Sequence, residues 1–173
     1  QIEDLLAVDP LEIEIGVGLI RLADRARGGD LLEQIQQVRE KVAAQLGLVM
    51  PKVRVRDNVH LKANEYQIKI SEVSVATGTT KSSTALAHAL IESIEAHAAD
   101  LLTRDATKFL IDRLTQTHPI IVEELIPQKV TLAEIQQTLQ LLLRERLPIR
   151  QLGMILESLG DGTEVKENPV LLT

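Results

Sequence analysis

Residues Arg54–Ile70 read RVRDNVHLKANEYQIKI, and the fold turns on how that stretch is parsed. Charged and apolar side chains alternate at both ends, the period-2 signature of strands that are half buried. Val53 and Val55 alternate with Arg54 and Arg56, and Ile68 and Ile70 with Gln67 and Lys69; Asp57-Asn58 between them is turn chemistry. The stretch is therefore expected to form two strands around a turn, with Val53, Val55, Ile68 and Ile70 on the buried face. Arg54, Arg56 and Asp57 then have two readings: a binding cluster for a carboxylate partner, or ion pairs across adjacent strands.

Upstream, Leu11, Ile13 and Ile15 alternate with Glu12 and Glu14, which predicts a strand within residues 9–22. Asp30 and Glu33 have capping-box spacing ahead of a stripe of Leu31, Ile35, Val38, Val42 and Leu46, and Gly47 stands where a left-handed C-cap belongs. Downstream, Val73 and Val75 extend the strand pattern. The N-terminal part reads as β-α-β-β.

After TGTTKSS the periodicity becomes helical, so the chain divides into an α+β segment over 1–80 and an all-α bundle over 81–173. A long helix carries Leu86, Leu90, Ile94 and Leu101. Thr103 caps the next, with Phe109, Leu110 and Leu114, and His118-Pro119 ends it. Thr131 and Glu134 form a capping box for a helix through Leu143. Pro148 suits the first turn of a last helix that Gly160 stops, and ENPVLLT reads as the start of a further element of a longer polypeptide.

Composition narrows function. Among 173 residues the net charge is -6 and the only aromatic side chains are Tyr66 and Phe109, which argues against a phosphate-binding surface and against base-stacking platforms. The chain contains no cysteine, so disulfides, thiolate metal sites and cysteine nucleophiles are excluded, and a reducing compartment is the default setting. Gly16-Val-Gly18 lacks the third glycine of a dinucleotide loop and suits a strand exit or bulge. His60, His88, His97 and His118 do not combine with Glu92 and Glu95 into a metal spacing, since Glu95 and His97 point to different helix faces. Ser71, Ser74, Ser82, Ser83, Ser93 and Ser158 lie in no nucleophile elbow. KSSTALAHAL can be read as a phosphate-binding helix start or as plain N-capping by Ser82 or Ser83. No cofactor is expected, and no catalysis.

In chain order, DPLEIEIGVGLI, GGDLLEQIQQVREKVAAQLGLVMPKVRVRDNVHLKANEYQIKI, HAADLLTRDATKFLIDRL and VEELIPQKVTLAEIQQTLQLLLRERLPIRQLGMILESL together resemble the flagellar and virulence-associated type III export gate proteins, the FlhA family, and RDN is closer to the flagellar branch. The resemblance implies the cytoplasmic portion of a bacterial inner-membrane protein, its membrane spans lying before Gln1. It also implies a self-assembled ring platform of nine copies that helps receive export chaperones with their cargo alongside other export apparatus proteins. Residues 1–80 correspond to the family's first subdomain and 81–173 to its third; the second, expected between Gly78 and Lys81, and the fourth, after Thr173, have no counterpart. The family's chaperone-docking hollow uses a Val and a Thr at positions matching Ala85 and His88, so these two form a partner-docking remnant. A diverged structural paralogue that keeps ring assembly without chaperone docking is the alternative.

Overall fold

The computed structural model describes residue 2 and residues 9–165, the last three as backbone only. The expectation for ENPVLLT lies outside the described residues. The chain forms two compact units: one joins the residues up to Val42 with Met50–His97, the other joins Ala43–Val49 with the residues from Ala98 onward.

The first unit is built on a four-stranded sheet of order β2-β1-β3-β4, comprising β1 (Leu11–Ile15), β2 (Val53–Asp57), β3 (Glu65–Ile70) and β4 (Val73–Thr79). β1 pairs parallel with β2 and antiparallel with β3. A parallel pair needs a crossover, and α1 (Leu31–Leu46) supplies it. Leu11, Ile13, Ile15, Val53, Ile68 and Ile70 are buried, as are Leu31, Ile35, Val38 and Val42 of α1. These side chains supply the apolar core of the unit, together with Leu86, Leu90 and Ile94 of α2 (Ser83–Leu101).

The two strands of RVRDNVHLKANEYQIKI are present but are not each other's partners, because β1 lies between them. Their connection, residues 58–64, instead passes the end of β1: Asn58 N–H donates to the Ile15 carbonyl at 2.9 Å and Gly18 N–H to the Ala63 carbonyl at 2.7 Å. Val55 is only half buried. β1 is also shorter than residues 9–22; Val17–Ala23 is a 3-10 helix. Val73 and Val75 belong to a separate strand, reached by a two-residue turn in which Ser71 and Glu72 have φ of 47° and 69°. Such a turn usually advertises itself by Asn or Gly, and its absence here hid the hairpin. The layer is thus β-α-β-β-β, an α+β fold.

Asp30 and Glu33 do not close a reciprocal cap. The Asp30 carboxylate accepts from Gln34 Nε2 at 2.9 Å and from Ser83 Oγ at 2.5 Å, while Glu33 pairs with Arg25 at 2.8 Å. Gly47 does take the left-handed conformation, with φ of 78°.

The second unit is helical: α3 (Arg104–Thr117), α4 (Pro119–Leu125), α5 (Leu132–Arg144) and α6 (Leu152–Val165). Thr103 caps α3 by accepting from Ala106 N–H, and Thr131 with Glu134 forms the reciprocal box at α5. Thr107 and Ile111 are the buried side chains of α3, while Phe109 is exposed beneath the Arg113 guanidinium, 6.0 Å from the ring centre. Ile135, Leu139 and Leu143 of α5 are buried, as are Leu152 and Leu156 of α6. α6 begins at Leu152 rather than at Pro148, and it runs through Gly160. A Cβ on Gly160 would stand 2.4 Å from Leu125 Cδ2, so this glycine permits close helix approach and does not end the helix.

Strand periodicity gives way to helical periodicity at 80/81, whereas the division by contacts comes at His97. There φ of -124° and ψ of 22° interrupt α2.

Candidate functional site

The start of α2 is fixed from below and open above. Ser82 Oγ accepts from Ala85 N–H at 3.3 Å, which is the N-capping reading of KSST. Ser83 is buried, donates to Asp30, and accepts from Gln34 Nε2 at 3.0 Å. Leu86, Ala87 and Leu90 turn inward, so Ala85 and His88, three apart, share the exposed side of the helix. His88 Nε2 lies 3.1 Å from Glu92 Oε1, with both side chains about 70% exposed (72% and 69%). An exposed pair of this kind adds little to stability. Ala85 and His88 therefore form a shallow surface, pre-ordered by the Asp30–Ser83–Gln34 network beneath.

The Arg54-Val55-Arg56 cluster resolves as ion pairs within the sheet. Arg54 Nη1 is 3.0 Å from Asp9 Oδ2; Arg56 reaches Asp9 and Glu12, each at 3.6 Å. In the register Glu12 stands opposite Arg54 and Glu14 opposite Arg56, so the Arg56–Glu12 pair runs diagonally across the two strands. Glu14 is engaged from the other side, by Lys69 at 3.0 Å. Glu12 is only 8% exposed. Burial pushes its carboxyl above the usual carboxylate range, a hydrogen bond with Asp9 adds to that, and Arg56 opposes it. Asp30 shifts the other way, held below its ordinary value by the Ser83 hydroxyl and then by Gln34.

These opposite shifts predict opposite pH slopes. The folded state holds the Glu12 proton more tightly than the unfolded state, so the Glu12 contribution is complete at low pH and is lost as pH rises through its raised value. Asp30 contributes above its unfolded value, and that contribution is lost as pH falls through its lowered value. In denaturant titrations from about pH 3 to pH 8, Glu12→Gln should gain on the parent chain as pH rises, and Asp30→Asn should lose on it. Parallel curves for both variants would contradict these assignments.

Gly16 and Gly18 are strand-exit residues, placed against the carbonyls of Lys62 and Ala63. Among the described residues, no three His, Asp or Glu side chains gather in a way that could hold a metal ion. No helix among them is long and apolar enough to cross a membrane. The sequence reading missed a groove of about 720 Å³ in the second unit, between α5 and α6, whose apolar lining includes Leu142, Met154, Ile155 and Leu159. Met154 is 63% exposed there, and the signal for it was a large apolar residue on the outer side of a helix.

The chain is similar to the flagellar biosynthesis protein FlhA of Bacillus subtilis (strain 168), 36% identical over 219 residues that cover 98% of this chain and 32% of that protein. It is 30% identical to FlhA of Helicobacter pylori (strain J99 / ATCC 700824), covering 98% of the chain and 30% of the relative. The chain thus spans about a third of the length of these relatives. Each aligned stretch has 219 positions, 46 more than the 173 residues of the chain, so the relatives carry residues without a counterpart here. In solved structures, the Chlamydia pneumoniae CdsV protein matches with a TM-score of 0.80 at 16% identity, covering 96% of this chain and 63% of that one. Nonameric EPEC SctV-C matches with a TM-score of 0.77 at 16% identity, covering 91% and 61%. The FHIPEP family is matched over residues 1–88 and again over 78–173, two segments that overlap from the end of β4 into the start of α2. With both segments matched, the chain belongs to the FHIPEP family.

Proposed function

We propose that this chain is cytoplasmic-side material of a flagellar-type protein export gate at the bacterial inner membrane, with residues 1–80 and 81–173 as its first and third subdomains. It acts as a binding and assembly module rather than an enzyme. The observation that carries this reading is the family match across both halves of the chain, to relatives named for flagellar biosynthesis. Ring assembly, nonameric as in the SctV-C structure, is part of the proposal, as is the reception of chaperone–cargo complexes. Contact with other export apparatus proteins is supported by a matching structure of CdsV in complex with CdsO. Deleting the segment from its gene should abolish export of flagellar subunits into the medium; undiminished export would sink the reading.

The second reading is a structural paralogue that assembles without docking chaperones. It is favoured by the greater length of the relatives' aligned stretch and by the small Ala85 beside the exposed imidazole of His88. The two readings separate by affinity. If docking has been lost at this surface, Ala85→Val combined with His88→Thr should strengthen binding of flagellar export chaperones about tenfold in calorimetry. Tight, chaperone-specific binding by the unaltered chain would instead rule the paralogue out.

A further inference from the structure

The groove between α5 and α6 lies wholly within the second unit, and its walls are two helical stripes. Thr138 and Leu142 stand four apart on α5, and Ile155 and Leu159 four apart on α6, so each pair shares a face. Leu142, Ile155 and Leu159 are half-buried and Met154 is exposed, which leaves apolar surface open along about 12 Å of α6, from Gln151 to Leu159.

The charge at this groove is the reverse of the charge of the chain. The net charge is -6, yet no Asp or Glu lines the groove or the depression of about 370 Å³ beside it. Arg150 borders both, and Arg113 borders the second. Among the described residues neither guanidinium has a carboxylate partner, whereas Arg25, Arg54 and Arg56 each have one. A third depression also borders Arg150, and that one does contain a carboxylate, Glu157, together with His118. The side of Arg150 open to an anion is therefore the side it shares with the groove and with Arg113.

The Arg150 backbone is fixed while its side chain is exposed. Buried Ile149 donates its N–H to the Leu46 carbonyl at 2.7 Å, and a Cβ on Gly47 would stand 2.6 Å from Arg150 Cα. Pre-ordering of this kind reduces the entropy lost when a charged group takes a partner.

We propose that the groove receives an amphipathic helix of another protein, its apolar face seated between α5 and α6 and an Asp or Glu at its edge paired with Arg150. Helix-in-groove recognition uses apolar anchors three, four and seven residues apart, which matches walls about two turns long. An anionic lipid surface would meet the same arginines, but it repels a chain of net charge -6, and the apolar walls are recessed between helices. Ala85 and His88 belong to the first unit, so this is a second surface, and it uses nothing from the export-gate reading.

Selection of displayed amphipathic helical peptides against the full chain tests the proposal, with the apolar stripe held constant and the flanking positions randomised. The recovered peptides should be enriched in Asp or Glu at one edge of the stripe. The chain has no tryptophan, so a tryptophan in each peptide reports binding by fluorescence. Arg150→Gln should weaken binding about tenfold, and Met154→Asp should weaken it further. Arg150→Glu should favour peptides whose acid is replaced by Lys. Both positions are exposed, so the variants should keep the circular dichroism of the parent chain, and either one suffices if the other unfolds. Failure to recover binders, binders without acidic enrichment, or affinity unchanged by these substitutions would overturn the proposal. So would a sedimentation dimer abolished by Met154→Asp, which assigns the groove to a second copy, or flotation with phosphatidylglycerol vesicles abolished by Arg150→Gln, which assigns it to lipid.

Discussion

Gly16→Ala is expected to destabilise the first unit by about 3 kcal/mol, and Gly16→Val by more. A Cβ built on Gly16 falls 1.9 Å from the Lys62 carbonyl oxygen and 2.7 Å from that of Ala63. Both obstacles are backbone, so no rotamer change relieves the contact. The connection is also held in place, since Gly16 N–H donates to the Glu65 carbonyl at 2.9 Å and Gly18 N–H to Ala63. Accommodating a methyl means breaking those bonds or shifting the start of β3 against β1. Gly162→Ala is the control: nothing lies within 4 Å of its Cβ position, and helix propensity predicts a gain of about 1 kcal/mol. Urea unfolding followed by circular dichroism measures both. A Gly16→Ala midpoint equal to that of the parent chain would refute the packing assigned to this turn.

Ile13→Ala should cost about 4 kcal/mol. Ile13 is the middle residue of β1, paired with Val55 on one side and Ile68 on the other, and it is fully buried. Truncation removes apolar area from the centre of the sheet and leaves a cavity that the neighbouring strands, held by ladders on both sides, cannot collapse to fill. Val73→Ala is the comparison. Val73 is 63% exposed on the outer strand, so its loss should change stability by no more than about 0.5 kcal/mol. Similar losses for the two variants would mean that β1 is not the centre of this core.

The candidate surface was legible in the sequence only in its chemistry. Ser82 and Ser83 announce a helix start, and Ala85 with His88 fall on one side of that helix by spacing alone. That Ser83 is buried against Asp30 and Gln34 was not legible, because those partners lie 53 and 49 residues away. The Asp30–Glu33 spacing misled for the same reason: distant Ser83 and nearby Arg25 compete for the carboxylates that a local cap would use.

The sequence by itself determined the elements whose signals are local: the alternation of Leu11–Ile15 and Val53–Asp57, the stripe of α1, the Thr103 and Thr131 caps, and the left-handed Gly47. These depend on side chains within a few residues of one another, so periodicity and capping chemistry specify them. Tertiary structure alone decided that β1 lies between β2 and β3, that Gly16 and Gly160 make room for a carbonyl and a leucine, and that Arg54 and Arg56 meet Asp9 and Glu12. Strand order, close approach and ion pairing are properties of segments brought together across the chain, and alternation along one strand is the same whichever neighbour it acquires.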